Sequence, residues 1–163
     1  MKFHYRMFLT LSLISALAGC AIPSAIQIGT SADELQQKLG KPTAVKAASG
    51  GGEFWEYAYG PEGTETWLYR IDQGRVVRSA VQLLTEERLQ KIQPGVSTEA
   101  DVRELLGTPR DITRFSHETA WEWRVRIGPD YGTYVVRFGP DGRAIGYNVL
   151  KDFLIDGDKD SGP

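Results

Sequence analysis

The sequence predicts an α+β protein in which two tandem helix-plus-antiparallel-sheet units form one globular body. Three observations carry this reading. One motif is written twice, each copy opens with helix punctuation, and alternating aromatic segments follow each opening. Gly29-Thr-Ser31…Leu39-Gly40-Lys-Pro42 returns as Gly95-Val-Ser97…Leu106-Gly107-Thr-Pro109. Phe54-Trp55-Glu56-Tyr57 returns as Ala120-Trp121-Glu122-Trp123, and Thr66-Trp-Leu-Tyr-Arg70-Ile as Thr133-Tyr-Val-Val-Arg137-Phe.

Ser31 and Ser97 are the expected helix N-caps. Glu34 follows the first at three residues and Ala100 the second, so a full capping box is expected only in the first unit. Leu35 and Leu39, then Val102, Leu105 and Leu106, keep helical spacing. Gly40 and Gly107 suit the helix ends, where a positive φ is needed, and Pro42 and Pro109 block continuation. A further short helix is expected after Thr85, over residues 86–92, ending at Pro94-Gly95. Three strands are expected in each unit, near 53–59, 65–72 and 75–84, then 119–127, 132–139 and 143–151. Gly60-Pro-Glu-Gly63 and Gly139-Pro-Asp-Gly142 supply turns. Ser49-Gly50-Gly51-Gly52 reads as a flexible loop; it lacks the Gly-Lys-Ser/Thr ending of a phosphate loop.

Composition narrows the function. The 163 residues carry 19 Lys and Arg against 21 Asp and Glu, which argues against a broadly basic nucleic-acid binder. One Cys and two His leave little material for a Cys/His metal site or a disulfide framework, so neither metal nor cofactor is expected. No nucleophile–base constellation emerges. Ser116 and His117 are adjacent on an extended segment and would point apart. Asp156-Gly-Asp158-Lys-Asp160 imitates the start of a calcium loop, but its Gly falls at the wrong position and the chain stops before the closing Glu.

The first residues read as a secretory signal: Lys2 and Arg6, then the apolar run from Met7 to Leu17, too short to span a bilayer. Leu17-Ala18-Gly19-Cys20 resembles the lipobox of bacterial lipoproteins, and the only Cys stands where lipidation requires it. That resemblance implies cleavage before Cys20 and acylation of Cys20. Cleavage would remove Lys2 and Arg6 and no acid, leaving 17 basic and 21 acidic residues and a net charge of −4. Residue 21 is Ala rather than Asp, which by the same resemblance implies export to the outer membrane, facing the periplasm. The expected organisation is a signal peptide (1–19), lipidated Cys and tether (20–27), first unit (28–84), second unit (85–153) and an acidic flexible tail (154–163).

Gly-x-Ser/Thr, a helix ending Leu-Gly-x-Pro and a strand with Trp-x-Tyr or Trp-x-Trp, all behind a lipobox, resemble the SmpA/OmlA (BamE-like) outer-membrane lipoproteins. The doubled unit is similar in plan to the β-lactamase inhibitory protein. The first resemblance implies a non-enzymatic accessory factor of the envelope that binds another protein, in outer-membrane assembly or envelope integrity. The second implies instead an inhibitor of a periplasmic hydrolase.

Strand alternation sorts the side chains onto two faces. Trp55, Tyr57, Tyr59, Trp67, Tyr69 and Ile71, with Trp121, Trp123, Val125, Tyr134, Val136 and Phe138, are expected under the helices as core. The opposite face holds the candidate partner-binding residues Glu56, Arg70, Arg78, Glu122, Arg124 and Arg137. Cross-strand pairs Glu56–Arg70 and Glu122–Arg137 are expected there, on a face that is either merely solvated or a docking surface.

Overall fold

The computed structural model describes residues 22–152. The signal segment, including Leu17, Ala18, Gly19 and Cys20, and the acidic tail lie outside the described residues.

The first half opens with a 3-10 turn at Pro23–Ala25 and helix α1 at Ala32–Leu39. Four strands follow: β1 (Ala44–Ala47), β2 (Glu53–Tyr59), β3 (Glu65–Ile71) and β4 (Val77–Gln82). The second half has α2 (Glu86–Leu89) and α3 (Glu99–Leu106), then β5 (Asp111–Arg114), β6 (Thr119–Ile127), β7 (Asp130–Phe138) and β8 (Ala144–Lys151). Each set forms its own four-stranded antiparallel sheet in simple sequential order. The fold is therefore α+β, with two helix-and-sheet units in tandem.

Each sheet gains a strand over the expected three. β1 and β5 are only four residues long, and β5 is exposed throughout. A strand that buries no face leaves no alternating pattern to read. Pairing with β2 and β6 makes them strands. The Gly50-Gly51-Gly52 segment is the tight connection between β1 and β2, with all three glycines at positive φ. It is a built turn rather than a loose loop.

The caps also differ from expectation. Ser31 Oγ accepts from the Glu34 amide at 3.1 Å, as its position requires. In the second unit the cap is Thr98, not Ser97, and the complete capping box belongs to this helix. Thr98 Oγ1 accepts from the Asp101 amide at 3.2 Å while Asp101 Oδ2 accepts from the Thr98 amide at 2.8 Å. The cause is one extra residue between Gly95 and the cap, which shifts the repeat so that Ser31 corresponds to Thr98. Isolated bridges confirm the correspondence: Ser31 pairs with Val76, and Thr98 with Arg143. Displaced Ser97 is buried, its Oγ accepting from the Gln93 amide at 2.9 Å. Both helices end on glycines of matching geometry, Gly40 (φ 82, ψ −163) and Gly107 (φ 80, ψ −164). α2 is capped by Thr85 as expected but is shorter. Its continuation tightens into 3-10 bonds, from the Lys91 amide to Arg88 O and from the Ile92 amide to Leu89 O.

Two hydrophobic cores result, one under each helix layer. In the first, Leu35 of α1 packs with Trp55, Tyr57, Tyr69, Ile71 and Val77. In the second, Val102 and Leu106 of α3 and Leu89 and Ile92 around α2 meet Trp121, Trp123, Val136 and Phe138. The aromatic face is core, as alternation implies; Tyr59 and Trp67 at its edge are half-buried. Pro23 and Ile26, within the expected tether, are buried too, and the Tyr69 hydroxyl donates to Pro23 O at 2.8 Å. Tyr57, edge-on to Tyr69, is buried with no partner for its hydroxyl, and burial pushes its pKa up to about 12. Among the described residues no helix is long and apolar enough to cross a membrane.

Candidate functional site

The outward faces of the two sheets, which carry the candidate partner-binding residues, have different fates. Register decides the pairings first. Glu56 lies opposite Leu68, and Arg70 opposite Phe54; Glu122 lies opposite Val135, and Arg137 opposite Ala120. Neither expected Glu–Arg pair forms, because each Arg sits two residues along its strand from the position facing the Glu.

Glu56 is 2% exposed. The end of α3 lands on this part of the first sheet, and Glu56 Oε1 accepts from the Thr108 amide at 2.8 Å. Gly107 packs against Thr66, Leu83 and Glu56, with Thr66 also buried. Glu56 thus serves the contact between the two halves rather than an open surface. Arg70 lies over the Phe54 ring, 5.3 Å from its centroid, and Nη2 donates to Gly51 O at 2.6 Å, clamping the triple-glycine turn. Arg78 pairs with Asp72 in the β3–β4 turn; Asp72 is held below the usual carboxylate range first by the Val76 amide and then by Arg78.

The second sheet is different. α2 and α3 cover its aromatic face, and the opposite face meets the 3-10 turn of the β2–β3 hairpin, Pro61–Gly63, at its β6 side. Glu122, Arg124, Thr133, Val135 and Arg137 are all half-buried on this face, with Arg126 exposed at its end. Arg124 is its best-anchored cation. It pairs with Asp152 through two nitrogens and reaches Glu62 at 3.2 Å. Asp152 first, and then Glu62, raise the Arg124 pKa, and Arg124 in turn lowers that of Asp152. Glu62, at the tip of the β2–β3 hairpin, also bonds Arg110 at 2.9 Å, so this acid of the first half bridges two cations of the second. Arg110 is the main cause of its lowered pKa. Arg137 approaches Glu118 at 3.7 Å and leaves its buried Nε without a partner.

Arg70 and Arg137 share one structural feature. Each immediately precedes a β-bulge, between Arg70 and Ile71 and between Arg137 and Phe138. The matched arginines of the repeat therefore mark matched bulges. A bulge of this kind lets a strand bend.

The candidate set thus divides. Glu122 and Arg124 of β6, with Arg137 of the neighbouring β7, share one sheet face; Glu56, Arg70 and Arg78 are engaged elsewhere. Sequence reasoning missed Glu62, Arg110, Thr108 and Asp152, all of which act across long separations. The acidic turn residue Glu62 was visible as a turn, but its reach to Arg110 and Arg124 depends on how the halves pack. Among the described residues no group of three or more His, Cys, Asp or Glu is placed to hold a metal ion. His117 is exposed in the β5–β6 connection.

No family model matches the chain, and no curated protein matches it. Among solved structures it is similar to a candidate β-lactamase inhibitor protein from Streptococcus mutans, at 17% identity and TM-score 0.34, covering 78% of this chain and 86% of that one. It is also similar to a DUF4309 family protein, YjgB, from Bacillus subtilis, at 14% identity and TM-score 0.31, covering 74% and 77%. A third is an extracellular protein containing an SCP domain from Bacillus anthracis, at 13% identity and TM-score 0.30; 93% of this chain matches 50% of that one. At these scores the likeness bears on neither partner nor activity.

Proposed function

We propose that this protein is an outer-membrane-anchored, periplasm-facing lipoprotein that acts as a non-enzymatic protein-binding accessory factor, docking a partner through the outward face of β5–β8. The observation that supports docking is the asymmetry of the two sheets. The second half lands on the outward face of the first sheet, whereas α2 and α3 both lie on the inner face of the second. The open face mixes arginines with Val135 and Thr133, a composition suited to protein interfaces. Anchoring rests on Leu17-Ala-Gly-Cys20, with acyl chains contributing about 0.8 kcal/mol per buried CH₂.

Crosslinked pull-down from envelopes tests the docking face. Arg137→Glu together with Val135→Asp should keep the circular dichroism spectrum and reduce capture of the wild-type partners, with the charge-dependent part of the loss shrinking at high salt. Unchanged capture by the folded double variant refutes docking through this face. Recovery of β-barrel assembly subunits supports a role in outer-membrane assembly, and recovery of a hydrolase supports inhibition. For the anchor, Cys20→Ser should abolish fatty-acid labelling and leave an uncut precursor; normal labelling in that variant refutes lipidation at Cys20.

A further inference from the structure

β8 is an edge of the second sheet, and most of that edge is unused. The Asp152 amide donates to Tyr131 O at 2.9 Å, which fixes the phase of the β7–β8 ladder. Residues of an antiparallel pair alternate between bonding the neighbour and pointing their backbone groups away from it. Leu150 and Asn148 therefore bond β7, while Tyr147, Val149 and Lys151 direct their N–H and C=O groups outward. At the start of the strand such groups are taken, since Ala144 bonds Ser97 O and the Gly95 amide. Among the described residues no backbone group bonds those of Tyr147, Val149 and Lys151. Sheet edges are normally kept short or charged. β1 and β5 are four residues long and carry Lys46, Asp111 and Arg114, whereas β8 runs eight residues with its one charge at Lys151. Val149 is 42% and Leu150 54% exposed. Arg137 also leans on this edge: a β-carbon on Gly146 would stand 3.7 Å from Arg137 Nη2. Among the described residues its carboxylate contact is Glu118, at 3.7 Å from Nη1.

From this geometry we infer that β8 pairs antiparallel with β8 of a second copy of this chain, about a two-fold axis at Val149. The outward residues are their own complement. Val149 bonds Val149 of the second copy, and Tyr147 and Lys151 bond each other in both directions. The same register sets Asp152 of the second copy opposite Gly146, with about 4.5 Å between their α-carbons. Gly146 has no side chain to separate that carboxylate from Arg137. Arg124 already holds Asp152, but a carboxylate has about four acceptor sites and Arg124 uses two. Asp152 stays 44% exposed and Arg137 43%, so both can take the added contact. Like charges do not meet, because Lys151 falls beside Tyr147 of the second copy. On the helix side a cleft of about 770 Å³ borders Val149 and Lys151 and leaves room for the incoming side chains. Two sheets of four strands become one continuous sheet. The inference concerns the edge alone and does not depend on the docking proposed for the outward face of β5–β8.

Sedimentation equilibrium of the whole chain in density-matched detergent should give twice the monomer mass and dissociation on dilution. Crosslinking reads the register. Val149→Cys, oxidised with copper–phenanthroline, should form a disulfide between the two introduced cysteines, whose α-carbons would stand about 5.5 Å apart. Leu150→Cys should not, because its two copies are offset along the strands by about 7 Å. The unsubstituted chain, whose one cysteine is Cys20, is the blank. Gly146→Asp fits beside Arg137 but sets an acid against Asp152 of the second copy, and should weaken association at least tenfold. Val149→Pro removes the central donor without touching the β7 ladder, and should give monomer with an unchanged circular dichroism spectrum. A monomeric mass at every concentration overturns the inference. So does equal crosslinking at positions 149 and 150, or undiminished association of the folded Gly146→Asp or Val149→Pro variant.

Discussion

Gly40 and Gly107 occupy equivalent positions in the repeat with nearly identical backbone angles, yet the structure predicts unequal costs for replacing them. The φ and ψ values of both fall in a region open essentially to glycine alone, and holding alanine there costs about 1–3 kcal/mol. At Gly40 nothing lies within 4 Å of where a β-carbon would stand, so strain is the whole cost. At Gly107 the β-carbon would stand 2.9 Å from Thr66 Cγ2, 3.1 Å from Leu83 Cδ1 and 3.2 Å from Glu56 Cδ, all in the contact between the halves. Overpacking of this kind adds about 1–3 kcal/mol. Gly107→Ala should therefore be less stable than Gly40→Ala by roughly 2 kcal/mol. With an m-value of about 2 kcal/mol/M in urea, the midpoints should lie about 1 M apart. Urea unfolding followed by tryptophan fluorescence measures this. Equal midpoints, or a larger loss at Gly40, would refute the packing of the α3 terminus on the first sheet.

Further outcomes follow from the same contacts. Glu56→Ala strands the Thr108 amide and should cost about 1–3 kcal/mol by urea unfolding, more than Glu56→Gln. Gly52→Ala should destabilise more than Gly51→Ala, because its β-carbon would meet the Ile71 carbonyl oxygen at 2.2 Å, whereas at Gly51 it meets only the movable Gln73 side chain. Thr98→Ala should cost about 1 kcal/mol as a lost cap. Asp101 is held below the ordinary carboxylate range, first by the Thr98 amide and then by the Thr98 hydroxyl. A lowered folded-state pKa gives stability that is present above the unfolded value, about 3.9, and lost as pH falls through the folded value. Asp101→Asn should therefore flatten the acid side of the stability–pH curve, and an unchanged acid limb would count against the capping box.

The sequence by itself determined the repeat, the cap of the first helix, the glycines that end α1 and α3, the long strands and the buried aromatic faces. Those features are local: Ser31, Gly40 and the alternation through Trp55, Tyr57 and Tyr59 each act within a few residues of chain. It failed where a second segment supplies the reason. β1 and β5 are strands because β2 and β6 pair with them, and the cap moved to Thr98 because the extra residue falls before the helix. The charged face was legible as charged but not as two surfaces. Its polarity is set by alternation along a strand, while its exposure is set by what the rest of the chain lays over it. Only the tertiary structure could commit Glu56 to the Thr108 amide and leave Arg137 on an open sheet. A buried carboxylate and a solvent-facing one are written with the same residue, and the difference lies in which distant backbone arrives beside it.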